Sequence, residues 1–338
     1  MRNKKALIIG YGRMGKIYFN ILRELGFKSI DIIEKNKFRT DEKKDFNSIK
    51  VRIYKSYNSS IKKENYFIVI IATTTDKKFE FIKRIASEKI KHFYIEKPVA
   101  CSLAECDQIK KIQRKYKFKI GINHQSRFTN EIVDIFKIVK NYKKDELISM
   151  NLIAGNIGLA MNGTHIIELF NFLVGKPINK VNAIFEKKLS LNPRGKKFRD
   201  FAGQIYCRNS ENKTLTINTS NKISHGFNIF FNFRNGFIFL DYLRENIYFN
   251  FRKKKYFNKN SNFYGLPSII KFKKTSLSSI KSGSKKSISN FLDGKKISNI
   301  HESINVVKIL SAAYHSSLNR GFTVKLNNFK KNYTFKWA

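Results

Sequence analysis

The chain has 338 residues, of which 67 are Lys or Arg and 25 are Asp or Glu, for a formal net charge of +42. This length suggests two domains, and 42% hydrophobic residues suffice for a sizeable core. No run of about 18 apolar residues occurs, so no membrane-spanning helix is expected, and Cys101, Cys106 and Cys207 form neither a disulfide framework nor a zinc pattern.

So large a positive charge raises nucleic acid or an anionic membrane as partners. The lysines are scattered along the whole chain, however, and not gathered into an arm or stripe. The richness in Lys, Asn, Ile and Phe is what AT-rich coding favours. Nucleic acid and membrane are therefore not the expected partners, and no metal site is expected. Attraction of acidic substrates such as phosphates or nucleotide sugars is a second reading of the charge. The opening MRNKKALIIGYG has an apolar run too short for a signal peptide, interrupted by glycine. The chain thus reads as cytoplasmic, with reduced cysteines.

Taken in order, Lys5 to Gly10 reads as a buried strand that leads at once into Gly10-Tyr11-Gly12-Arg13-Met14-Gly15. A helix follows, with Met14, Ile17, Tyr18, Ile21, Leu22 and Leu25 on one face. Strand, glycines and helix in that order are the context of a dinucleotide-binding loop. Gly10 allows the tight turn, Gly12 lets the backbone approach a pyrophosphate, and Gly15 lets helix and strand pack closely. The helix N-terminus, at Arg13 and Met14, would bind phosphates through free N–H groups. Glu34, 24 residues after Gly10, ends the next strand where an acidic residue meets the adenosine ribose. Its charge would repel a 2′-phosphate, which favours NAD, whereas Lys35, Lys37 and Arg39 close behind keep NADP open.

Further strands are expected at 51–54 and 66–71. Ala72-Thr73-Thr74-Thr75 leaves the second of these, and a helix from Asp76 should turn Phe79, Ile82, Ile85 and Ala86 inward. The strand Phe93-Tyr94-Ile95 ends in Glu96-Lys97-Pro98. A lysine at a buried strand end must find partners or lose its proton, and such strand ends are where ligands gather in open α/β sheets. Ser102-Leu103-Ala104-Glu105 is a capping box, and residues 119–122 close a series of six strands. Strands alternating with helices give a doubly wound parallel sheet.

The second half opens on GINHQSRF (residues 121–128), a hinge. A strand over 147–154 leads through a polar, glycine-containing stretch to His165 at the start of a helix over 166–174. There a neutral imidazole could act as a general base, or the polar residues could simply cap the helix. Alternating runs between 181 and 251 predict an open, mostly antiparallel sheet, with Asn235-Gly236 as a hairpin signal. Residues 252–286, rich in Lys, Ser and Asn, read as solvated loops, with a site for an acidic partner as the alternative. A helix over 301–319 turns Ile304, Val307, Leu310 and Ala313 inward, and a strand over 322–326 ends the pattern. His301 and His315 read as surface or packing residues. The domains divide as 1–122 and 123–338.

The runs GYGRMG, ATTT, IEKPVA and GINHQSRF, in this order, resemble the Gfo/Idh/MocA oxidoreductases, the family of glucose-fructose oxidoreductase and inositol dehydrogenase. The resemblance implies an N-terminal Rossmann domain and an α+β second domain whose large open sheet binds substrate and joins copies into a dimer or tetramer. It implies an NAD(P)-dependent oxidoreductase acting on CH–OH groups of a sugar or nucleotide sugar, with surface-glycan biosynthesis as one setting. In that family Lys97 would sit beside the nicotinamide and touch the reacting hydroxyl. Thr73, Thr74 and Glu96 would meet the dinucleotide. Asn123, Arg127, Asn162 and His165 would lie near the substrate, with Glu168 at the family's acidic position. One departure stands out: many members carry an aspartate four residues before the histidine, and here that position is Met161. Met161 cannot supply the carboxylate of the aspartate-assisted proton relay. A non-catalytic, dinucleotide-binding regulator of the same fold is the alternative.

Overall fold

In the computed structural model the described residues are 4–36, 46, 49–88, 90–141, 146–189, 198, 200–224, 226–260, 262, 265–275 and 280–335. Lys37 and Arg39 lie outside them. The chain forms two compact units. One takes residues 1–125 with 280–307 and 334–337; the other takes 126–279 with 308–333. A single boundary at 122/123 therefore misses a returning segment that folds with the first unit.

The first unit is built on β1 (Lys5–Ile9), α1 (Arg13–Glu24), β2 (Ser29–Ile33), β3 (Lys50–Tyr54), α2 (Ser59–Lys62), β4 (Ile68–Ile71), α3 (Thr75–Ile85), β5 (His92–Ile95), α4 (Leu103–Tyr116) and β6 (Lys119–Ile122). The strand order is β3-β2-β1-β4-β5-β6, all parallel. Strands covered on both faces must be apolar throughout, which is why KALII and IVII carry unbroken aliphatic runs. The order reverses direction between β1 and β4, and in such sheets ligands bind at that switch point. Ser102 caps α4 by accepting from the Glu105 N–H at 3.2 Å, while Glu105 accepts from Cys101 N–H.

The second unit contains α5 (Asn130–Asn141), β7 (Leu147–Ala154), α6 (Thr164–Val174), β8 (Ile178–Phe185), β9 (Gly203–Asn209), β10 (Thr214–Thr219), β11 (Phe227–Phe233), β12 (Gly236–Asp241), β13 (Asn246–Arg252) and β14 (Ser268–Lys274). Its nine-stranded sheet runs β14-β13-β12-β11-β7-β10-β9-β8-β15, where β15 is Val324–Lys325. All neighbours are antiparallel except β7 and β10. Alternation of buried and half-buried residues, as in β10 and β13, sets one face on the core. On the other face Phe230, Phe239, Tyr248 and Phe272 are register partners across β11 to β14, with ring centroids 4.4, 5.8 and 5.3 Å apart in turn. Beside this row Ile270 is 76% exposed and Phe272 57%.

Two segments expected as solvated loop are regular structure. β14 is an edge strand, exposed along most of its length and studded with lysines, a composition that protects a sheet edge but hides the strand in sequence. Residues 280–292 form α7 (Ile280–Leu292), whose buried face is Gly283, Ser284, Ser287, Ile288 and Phe291. Small residues let this helix pack closely: a Cβ on Gly283 would lie 3.2 Å from the Gln125 side chain. The last helix, α8 (Ile300–Leu318), buries Val307, Leu310 and Ala313, whereas Ile304 is half-buried. His301 is exposed, and His315 packs beside Tyr333 with Nδ1 2.6 Å from its hydroxyl.

Candidate functional site

The glycine loop sits at the switch point of the first unit. Gly10 has φ +89°, and a Cβ there would meet Ala72 backbone and Thr73 Cγ2 at 3.1 Å. At Gly15 a Cβ would stand 2.1 Å from the Gly10 carbonyl, so glycine is needed for the helix to approach the loop. Gly12 is different: nothing lies within 4 Å of an added Cβ, so its backbone faces open space where a pyrophosphate can approach. Arg13 is exposed and Met14 half-buried at the start of α1. Glu34, at the end of β2, accepts from the Tyr11 N–H at 2.7 Å and from the Asn36 N–H at 3.0 Å. A carboxylate has about four acceptor sites, so capacity remains for ribose hydroxyls.

Thr73, from the end of β4, stands against Gly10, and its buried Oγ1 has no protein partner. A buried hydroxyl without a partner is costly, and a bound dinucleotide would supply one. Thr74 takes the N-cap position of α3 and donates its hydroxyl to Asp76 at 2.5 Å. The loop, the acidic residue and the threonine therefore fit a dinucleotide.

The second feature is the turn after β5. Lys97 is half-buried, and its peptide bond to Pro98 is cis. Glu96 is buried and its carboxylate accepts from Tyr18 Oη on α1 and from Asn123 Nδ2, the latter at 2.8 Å. Burial and then the Glu96 carboxylate hold the Tyr18 phenol well above its ordinary value, so it remains a donor. Asn123 is 0% exposed. Its Oδ1 accepts from Tyr94 Oη at 2.8 Å, and its Nδ2 also donates to Ser284 at 3.1 Å. The Glu96 carboxylate and the Asn123 amide bond each other and groups of α1, β5 and α7 within the unit.

The sequence reading missed Lys78. It is 1% exposed on α3 and donates to the carbonyls of Glu96 at 2.7 Å and Pro98 at 2.6 Å. The buried face of α3 is Thr75, Lys78, Ile82 and Ile85, not Phe79 as expected. The spacing of 78, 82 and 85 is the available signal, and lysine's ordinary preference for solvent hides it.

In the second unit His165 is 8% exposed and lies second in α6. A π-helical turn, Leu159–Gly163, runs directly into that helix. The helical N-terminus is thus at Leu159, and the dipole argument for a neutral imidazole, which decays within the first turn, does not reach residue 165. Asp200, 3% exposed, occupies that N-terminus instead: its carboxylate accepts from the Ala160 N–H at 2.9 Å and the Met161 N–H at 3.2 Å. Gly158, at φ +68°, makes room for it, since a Cβ there would stand 2.4 Å from Asp200 Oδ2. Asn162 donates one of its two Nδ2 hydrogens to the Ile157 carbonyl at 2.6 Å. Arg127 forms a buried ion pair with Glu168 and lies 4.3 Å over the Phe172 ring. Elsewhere in this unit a cavity of about 290 Å³ between α5, α6 and the sheet is lined by Phe136, Leu173, Phe231 and others, and by none of the site residues.

A six-stranded doubly wound sheet with a glycine loop at its switch point, an acidic residue ending β2 and an unsatisfied threonine define a dinucleotide-binding protein. Residues 4–124 match the sequence model of the Gfo/Idh/MocA family, described as an oxidoreductase family with an NAD-binding Rossmann fold. No curated protein sequence matches the chain. Solved structures share the whole fold. An oxidoreductase from Agrobacterium radiobacter, in complex with NAD+, L-tartaric acid and magnesium, matches with TM-score 0.75 at 15% identity, covering 96% of this chain and 98% of that one. GenD2 of gentamicin A biosynthesis, in complex with NAD, gives 0.73 at 14%, covering 96% and 97%. A super-repressor mutant of Gal80p from Saccharomyces cerevisiae gives 0.74 at 11%, covering 96% and 98%.

Proposed function

We propose that the protein is an NAD(P)-dependent oxidoreductase that moves a hydride between the dinucleotide and a hydroxyl or carbonyl carbon of a sugar or nucleotide sugar. The observation that carries this reading is Lys97, a half-buried lysine in a turn whose two flanking carbonyls are held by a second, fully buried lysine. Bound NAD would supply the hydride acceptor. The backbone N–H groups after Gly12 and the Thr73 hydroxyl would hold the pyrophosphate, and Glu34 the ribose. In the oxidation direction the carbinol carbon loses hydride and its oxygen loses a proton, leaving a carbonyl. Lys97 donates a hydrogen bond to that oxygen and stabilises the charge that develops there. The proton goes to His165, or to Lys97 in its neutral form. The net charge of +42 favours an anionic substrate, which a nucleotide sugar of surface-glycan assembly satisfies, in the cytoplasm where three free cysteines stay reduced.

The test is NADH production from NAD+ with a panel of UDP-glucose, UDP-N-acetylglucosamine and UDP-glucuronate. Lys97→Ala is expected to lower turnover by roughly 10²–10⁴-fold, the range of a lost acid–base group, with NADH affinity unchanged. Full activity in that variant would sink the assignment. A second reading, a dinucleotide-binding regulator without turnover, draws on Met161 standing where the family resemblance implies an aspartate. NADH binding without hydride transfer to any sugar would favour it.

We also infer that the outer face of the nine-stranded sheet joins two or four copies of the chain. The aromatic row from Phe230 to Phe272, with Ile270 beside it, is a contiguous apolar surface that a lone molecule would leave in water. Light scattering on the purified protein measures this directly, and a monomer at every concentration would refute it.

A further inference from the structure

A lysine inside a protein must be explained. Its ammonium is strongly hydrated, and moving it from water costs several kcal/mol unless good partners replace the water. Lys78 is 1% exposed, on the face of α3 that also buries Thr75, Ile82 and Ile85. Its Nζ donates to the Glu96 carbonyl at 2.7 Å and the Pro98 carbonyl at 2.6 Å. Both carbonyls lie just past the end of β5, and the one residue between them is Lys97.

The same turn is gripped elsewhere. The Glu96 N–H is bound to the Ile71 carbonyl at 3.0 Å, and the Glu96 carboxylate takes Tyr18 and Asn123. Hydrogen bonds from a charged donor are roughly twice as strong as neutral ones. A buried ammonium that loses either carbonyl is left poorly solvated, so the arrangement that keeps both is strongly preferred. The backbone on each side of Lys97 is thereby fixed, while the Lys97 side chain leaves from the middle of the fixed segment.

We propose that Lys78 is a positioning residue for Lys97: its buried ammonium locks the 96–98 turn so that the Lys97 amine is presented in one place. This inference rests on the reading of Lys97 given above. A reacting group displaced by about 1 Å can lose on the order of a hundredfold in rate, so a rigid turn is worth the burial of a charge.

Lys78→Met keeps an unbranched side chain, one atom shorter, and removes its donors. Lys78→Gln keeps two N–H donors and removes the charge. Each variant is titrated with NADH by nicotinamide fluorescence. Lys97 is then acetylated with sulfo-N-hydroxysuccinimide acetate, with and without NADH, and its labelling is quantified by mass spectrometry. NADH is expected to protect Lys97 in the parent protein. In Lys78→Met the NADH affinity is retained but protection of Lys97 falls by about tenfold or more, the scale of an ångström-sized displacement. Lys78→Gln restores most of it. Equal protection in Lys78→Met and the parent would overturn the proposal. So would loss of NADH binding in both variants, which assigns Lys78 to the fold alone. If NADH fails to protect Lys97 in the parent, the reading of Lys97 is at fault. The labelling rate of the free protein then decides the role of Lys78: it changes in Lys78→Met if Lys78 sets the turn, and stays the same if it does not.

Discussion

Two turns carry the residues to which chemistry is assigned, and they are held in opposite ways. In the first unit the 96–98 turn follows a central strand, and what fixes it is a buried cation on neutral carbonyls, supported by a carboxylate that takes neutral donors. In the second unit the turn before His165 is fixed by a buried anion on backbone N–H groups. Glu168, one helical turn further along α6, is paired with Arg127 from the turn before α5. The Lys97 turn is set by groups bonded to the residues on either side of it. His165 is set at one remove, by the helix start behind it and the ion pair ahead of it. The difference teaches where each turn is vulnerable. Removing a donor loosens the first locally, whereas removing a charge from the second leaves its partner stranded.

That asymmetry makes Arg127 the most damaging single site to change. Its side chain and that of Glu168 are only 2% and 1% exposed. Arg127→Met would leave the Glu168 carboxylate buried without its cation, and breaking such a pair costs roughly 3–5 kcal/mol. The double variant Arg127→Met/Glu168→Leu should recover most of the loss, because an apolar pair of similar volume tolerates burial. Urea unfolding followed by circular dichroism checks both. If the double variant is no better than the single, the ion pair is not what holds this helix.

The fold was legible because its strongest signals are local. Unbroken aliphatic runs, a glycine loop between strand and helix, and period-two alternation in the second half each follow from covering a sheet on two faces or one. The glycine loop, Glu34 and Thr73 came together as expected for the same reason. What stayed hidden depends on contacts distant in sequence or on residues that ordinarily seek water. Lys78 sits at the right helical spacing for burial yet carries a charge. α7 is written in Gly, Ser and Lys, which read as loop until a neighbouring surface accepts their small side chains. Asp200 bonds residues 39 and 40 positions earlier, and no local pattern announces that pairing. Asn123 and Arg127, which the family resemblance places near the substrate, are buried and bonded within their own units by contacts distant in sequence.

Asp200 gives the smaller and more discriminating test. Its carboxylate accepts two N–H groups at the start of the helical run and, through Oδ1, the N–H of Phe201 at 2.9 Å. Asp200→Ala removes both acceptor oxygens and all three hydrogen bonds, and loss of a helix cap costs about 0.5–2 kcal/mol. Asp200→Asn keeps one acceptor oxygen and should fall between Ala and the parent. If the cap at Leu159 governs where His165 stands, turnover should drop in the order parent, Asn, Ala. NADH affinity should stay constant, because the dinucleotide loop belongs to the other unit. A fall in stability with turnover per folded molecule untouched would confine Asp200 to holding the helix. His165 would then owe its place to the Arg127–Glu168 pair three residues ahead, and the two turns would differ less than their charges suggest.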